Sequence, residues 1–144
     1  MKDDRVSSTE LREAIRQNIV DVHLFFMDWF AGRLAPEDLE PAFLSQLDDR
    51  FFYIPPSGAL VPKAAMADMF RAMHGADPAL EIDIEDVALQ HAMGTHALVT
   101  YREVQRGSVL SDKAENERLT TLLITTAQPF CWLSVHETWI DQAG

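Results

Sequence analysis

Cysteine is nearly missing from this chain: Cys131 stands alone among 144 residues. A single thiol excludes an intrachain disulfide and a cysteine metal cluster. Basic residues are scarce too. Twelve Lys and Arg against 23 Asp and Glu leave a net charge of −11, and the basic residues are scattered. Nucleic-acid and anionic-membrane partners, which need clustered Lys and Arg, are therefore not expected. No apolar run approaches membrane-spanning length, and the polar start from Met1 to Glu10 lacks the apolar core of a secretion signal. Together these features predict a reducing cytoplasm. There is no Gly-rich phosphate loop and no serine nucleophile elbow. His91 and His96 flank a turn without carboxylate or cysteine partners, and His23 lies five residues before Asp28, which is not ligand spacing. No metal and no cofactor is expected.

What is present belongs to a globular protein. Hydrophobic content of 47% with 24% charged residues is ordinary, and the length predicts one domain over residues 1–144, with its core at about 8–140. The stretch from Arg118 to Ile140 is the strongest signal. Two runs rich in Thr, Ile, Val and Trp flank a four-residue break that contains Pro129, which predicts an antiparallel hairpin of long strands. On the last strand alternation separates Leu133, Val135, Glu137 and Trp139 from Trp132, Ser134, His136 and Thr138. The first set is the more apolar and is assigned to the core. Glu137 must then find a cation, be protonated, or line a wet cavity. Both faces of the preceding run, Leu119 to Thr126, are half apolar, which predicts a sheet covered on both sides.

Upstream, Ser7 and Glu10 form a capping-box pattern. Helical spacing from there to about Arg33 predicts one long amphipathic helix. Pro36 and Pro41 frame a short second helix with Leu39, Phe43 and Leu47 inward. Phe51 to Ile54 reads as a strand closed by Pro55-Pro56-Ser57-Gly58. A third helix runs from Pro62 to about Met73, its methionines read as adaptable core filler. Leu80 to Gln90 is a strand whose phase slips by Val87, which predicts a bulge. Ala97 to Arg106 is the next, and polar Gly107 to Glu117 predicts a long mobile loop. The order helix, helix, strand, helix and four strands is an α+β fold with a long antiparallel sheet.

That order, with Asp48-Asp49 before a strand, Pro55-Pro56-Ser57-Gly58, Tyr101-Arg102-Glu103 and Trp132-Leu133-Ser134-Val135-His136-Glu137, resembles the nuclear-transport-factor-like superfamily, which includes SnoaL-like proteins and ketosteroid isomerases. The resemblance covers roughly residues 8–140. It implies a cystatin-like cone: a long N-terminal helix and two further helices packed on a strongly curved, mostly antiparallel sheet. It also implies a pocket between the helices and the concave face, and a homodimer stacked through the outer sheet face. The fold hosts enzymes, ligand binders and assembly domains alike. The acid–base pair of the ketosteroid isomerases is missing, since Ile54 falls in the aspartate slot and Phe30 in the tyrosine slot.

Candidate chemistry follows. Alternation on the strand from Ala97 gives Leu98, Thr100, Arg102 and Val104 on one face and Ala97, Val99, Tyr101 and Glu103 on the other, and does not separate them. Related assembly domains place a basic residue inward where Arg102 stands, so the resemblance implies that Arg102 reaches Glu137 at the pocket floor. The expected ligand site is Arg102 and Glu137 surrounded by Trp29, Phe30, Ile54, Phe70 and Trp139, with Phe26 and Met66, and the expected ligand is a small hydrophobic molecule. His136 is placed outward with Thr120, Leu122, Ile124 and Trp132 on the dimer face. With the phase reversed, Tyr101 and His136 become a dehydratase-like acid–base set. The alternative function is an acid–base lyase, cyclase or isomerase acting on a ring-bearing metabolite.

Overall fold

The computed structural model describes residues 7–140. Helix α1 (Ser8–Phe30) begins where the Ser7 hydroxyl accepts the Glu10 backbone N–H at 3.1 Å, satisfying one of the free donors of the first turn. It ends at Gly32, whose φ of +76° and close approach to Gly75 leave no comfortable room for a side chain. The short proline-framed segment that follows is broken into turns around α2 (Leu39–Ala42), and it buries Leu39, Phe43 and Leu47 as expected. Helix α3 (Lys63–Ala72) buries Met66, Ala67 and Phe70. Indole N–H donation from Trp29 to the Phe70 carbonyl, at 2.7 Å, locks α1 against α3.

Six strands form one sheet. They are β1 (Leu47–Ile54), the two-residue β2 (Val61–Pro62), β3 (Glu81–Met93), β4 (His96–Arg106), β5 (Glu115–Thr125) and β6 (Trp132–Trp139), in spatial order β2-β1-β6-β5-β4-β3. All neighbours are antiparallel except β1 and β6, which run parallel. The α+β cone is therefore the fold, with the three helices against one sheet. The phase slip in β3 is real: the ladder shifts between Glu85 and Ala88, and Asp86 takes a φ of +55°. Beyond that bulge Val87 and Leu89 turn onto the core beneath α1.

Two expectations change. The link between β4 and β5 is shorter than Gly107 to Glu117, because β5 starts at Glu115, and it is tied down. Buried Asp77 accepts the Ser108 hydroxyl at 2.6 Å and the Val109 N–H at 2.9 Å. Gly107 makes the approach possible, since a Cβ there would lie 2.6 Å from the Ala79 carbonyl oxygen. Face assignment along β5 is also reversed. Thr120, Leu122 and Ile124 are fully buried and turn inward, opposite Glu137, Val135 and Trp132. Between Ser134 and Trp132 the ladder skips Leu133, which brings Trp132 onto the same inner face as Val135 and Glu137. Alternation carried through that bulge puts Trp132, and every β5 residue assigned with it, on the wrong side. Among the described residues no helix is long and apolar enough to cross a membrane.

Candidate functional site

The inner face of the sheet and helices α1 and α3 line a cavity of about 140 Å³ that opens to the surface. Its walls are aromatic and thioether side chains: Phe26 and Phe30 from α1, Phe43 and Phe51 from the α2–β1 region, Met66, Met69 and Phe70 from α3, and Trp132 from β6. Ring centroids of Phe26, Phe43 and Phe70 lie within 5.1 Å of one another, so the wall is continuous. One end differs. His23, Tyr53, Tyr101, Glu103, Gln105, Arg118 and Glu137 all reach the same cavity.

Those polar residues form two paired sets. In the first, the His23 ring is held from both sides: Nδ1 lies 2.7 Å from the Ile19 carbonyl and Nε2 lies 3.0 Å from Glu103 Oε1. A carbonyl only accepts, so Nδ1 donates. The 3.0 Å contact then needs one further proton, shared between Nε2 and the carboxylate. Glu103 Oε2 accepts the Gln105 amide at 2.6 Å, so both of its oxygens are engaged. Burial alone would push Glu103 up. The charge and hydrogen bond of His23 outweigh it and hold this carboxyl at about 2. For His23 burial works downward, but the Glu103 charge, the Glu103 hydrogen bond and the Ile19 carbonyl raise it overall. Of the two ways to place the shared proton, the imidazolium–carboxylate form is the favoured one, because Glu103 is lowered and His23 is raised.

In the second set, Glu137 Oε1 accepts both the Tyr53 hydroxyl, at 2.5 Å, and the Arg118 guanidinium, at 3.1 Å. Its other oxygen, Oε2, accepts from none of the described residues. Burial and the nearby Glu103 charge raise Glu137 above the ordinary carboxylate value, against the opposing pull of Arg118 and Tyr53. Arg118 also donates to Asn116 at 2.7 Å and stacks over the Trp139 ring at 4.7 Å, while its fully buried Nε has no partner. Tyr53 and Tyr101 are both raised above the ordinary phenol value, first by burial and then by the charges of Glu137 and Glu103 respectively.

The expected site residues fall in different places. Glu137, Phe30 and Phe70, with Phe26 and Met66, line the cavity. Arg102 does not: it lies on the opposite face of β4, half-buried, where it pairs with Asp86 at 3.2 Å and with Glu117. The inner face of β4 carries Ala97, Val99, Tyr101 and Glu103, so the implied Arg102–Glu137 pair is replaced by Arg118–Glu137. Arg118 stands directly across from Glu103 in the ladder. Trp29 is fully buried behind the cavity wall. Ile54 alternates away from cavity-lining Tyr53 and pairs with His136 on the outer face. Trp139 is 53% exposed and lines an adjoining depression of about 390 Å³, which shares Phe30, Leu80, Gln105 and Arg118 with the cavity. His136 is exposed on the outer face, so the Tyr101–His136 set does not form. The histidine that meets Tyr101 is His23, with ring centroids 5.8 Å apart.

His23 and Glu103 escaped the sequence reading. His23 follows Ile15, Ile19 and Val22 on the buried stripe of α1, and a lone polar residue on such a stripe requires a buried partner. That stripe was the available signal. No feature of β4 by itself designates Glu103 as the partner.

No protein-family model and no curated protein sequence matches the chain. Solved structures do. An NTF2-like protein of unknown function from Pseudomonas aeruginosa shares 26% identity over 89% of this chain and 99% of its own, with a TM-score of 0.79. A cystatin-like-fold protein from Caulobacter vibrioides shares 14% identity over 90% of this chain and 91% of its own, with a TM-score of 0.63. A proposed aromatic ring hydroxylase from Novosphingobium aromaticivorans shares 11% identity over 95% and 94%, with a TM-score of 0.69. The fold class is the NTF2-like, cystatin-like cone. The chain is a member of the NTF2-like superfamily.

Proposed function

We propose that this protein is a small-molecule-binding domain whose ligand sits in the cavity between α1, α3 and the inner sheet face. The supporting observation is one carboxylate oxygen without a partner, Glu137 Oε2, at the polar end of an otherwise aromatic cavity. A carboxylate oxygen left open at the polar end of an aromatic cavity is the usual mark of a position completed by something else. Native mass spectrometry of freshly purified protein tests this reading. A retained small-molecule adduct, lost on Glu137→Leu, is expected. A bare mass, together with no thermal shift from any compound in a library of small ring-bearing molecules, would overturn it.

One observation favours a second reading, an acid–base enzyme of lyase, cyclase or isomerase type. Glu137 is raised toward neutrality, and Tyr53 donates to it. A carboxyl raised in this way and hydrogen-bonded to a phenol is a better proton acceptor than an ordinary carboxylate. Turnover of a ring-bearing substrate that disappears in Glu137→Gln while binding persists would establish this reading over binding alone.

For assembly we propose a two-fold homodimer through the outer sheet face, where exposed Leu119 shares a surface with Thr121, Leu123 and Ser134. Leu119→Asp is then expected to give monomers in sedimentation without loss of fold. A wild-type monomer at micromolar concentration would contradict the dimer. The acidic composition and lone Cys131 suit a reducing cytoplasm as its setting.

A further inference from the structure

The charges at the polar end of the cavity cancel in pairs, and that restricts what can enter. His23 and Glu103 share a proton and are neutral as a unit, and both Glu103 oxygens are occupied. Glu137 and Arg118 form a second neutral unit. Tyr53 spends its proton on Glu137 Oε1. What this arrangement offers a visitor is an open acceptor, Glu137 Oε2, with the Tyr101 hydroxyl lining the same cavity, within aromatic walls. An anion there would face a carboxylate, and a cation would compete with Arg118 and His23 in a poorly hydrated site. Either would arrive with an uncompensated charge.

Size narrows the class further. About 140 Å³ is well below the ~300–1,000 Å³ of drug-sized pockets and close to the roughly 150 Å³ that admits a single benzene ring. Resting on the binding reading above, we propose that the ligand class is an uncharged single-ring molecule carrying a hydrogen-bond donor, such as a phenolic hydroxyl, directed at Glu137 Oε2. A substituent on the far side of the ring would extend between Phe30, Leu80 and Gln105 into the depression bounded by Leu110 and Trp139.

The test is a calorimetric titration of the intact protein at neutral pH with four single-ring probes: phenol, toluene, benzoate and benzylamine. Phenol is expected to bind at least tenfold more tightly than each of the others. In Glu137→Gln the amide oxygen keeps the Tyr53 and Arg118 contacts and the amide N–H turns into the cavity. The preference should then invert, with benzaldehyde, an acceptor, binding more tightly than phenol. Toluene equal to phenol, or a charged probe equal to or better than it, would overturn the ligand class while leaving the binding reading intact. Binding of none of the four would overturn the binding reading and the ligand class with it. If Glu137→Gln does not fold, the wild-type series decides alone.

Discussion

Two arginines on adjacent strands, Arg102 and Arg118, occupy opposite faces of one sheet and differ in nearly every physical respect. Arg102 keeps 36% of its side chain exposed and pairs with Asp86 and Glu117 on the rim of the β3 bulge. Arg118 keeps 12%, holds buried Glu137, and has one nitrogen with no acceptor at all. Water can replace either partner of Arg102. Nothing replaces Glu137 for Arg118. The lesson is that a salt bridge read from sequence means little until its face is known, because its energetic weight is set by desolvation.

The most direct way to sharpen this contrast is to remove each cation. Arg118→Met strands Glu137 in the cavity, and loss of about 3–5 kcal/mol is expected from urea unfolding. Glu103→Gln comes next, because it leaves His23 without its anionic partner. A cost of about 1–3 kcal/mol is expected, with a change in pH profile. Glu103, lowered from 4.5 to about 2, contributes stability that is present above 4.5 and lost as pH falls toward 2. His23, raised from 6.5, contributes stability that is full below 6.5 and lost as pH rises through its higher folded value. Glu137 has the opposite sign on the acid side, since protonation relieves it. Wild-type stability should therefore peak between 4.5 and 6.5, and Glu103→Gln should flatten both limbs. Unchanged limbs in that variant would mean His23 and Glu103 do not act as a pair.

A smaller effect is expected where the β4–β5 link is tied. Asp77→Ala removes the acceptor of Ser108 and Val109, costing about 1 kcal/mol and raising amide exchange at residues 108–110. Retained protection there would show that the link is ordered by other contacts. The smallest change is expected from Arg102→Met, roughly 0–1 kcal/mol. A loss comparable to that of Arg118→Met would erase the distinction between the faces.

The α+β cone was legible because its signals are local. The Ser7 cap, the helical stripe from Leu11, the phase slip before Val87 and the hairpin around Pro129 each act within a few residues. The site was legible only in part. Glu137 and the α1 and α3 aromatics could be placed because one face of β6 is clearly the more apolar. The faces of β4 and β5 could not, since Leu, Val and Thr alternate on both, so hydropathy carries no phase. The skipped Leu133 then inverted Trp132 and took Thr120, Leu122 and Ile124 with it. His23 and Glu103 are 80 residues apart, and their pairing depends on how α1 crosses β4, which no local pattern encodes.

The central claim is that the inner face holds two carboxyls in opposed environments, one fixed as an anion by His23 and one poised to exchange a proton or a ligand contact. Carboxyl ¹³C titration by NMR on the wild-type protein addresses it directly. Glu103 should remain ionised to about 2, whereas Glu137 should titrate above the ordinary 4.5, and only Glu137 should shift on addition of phenol. Two carboxyls titrating together near 4.5, with neither responding to phenol, would contradict the account.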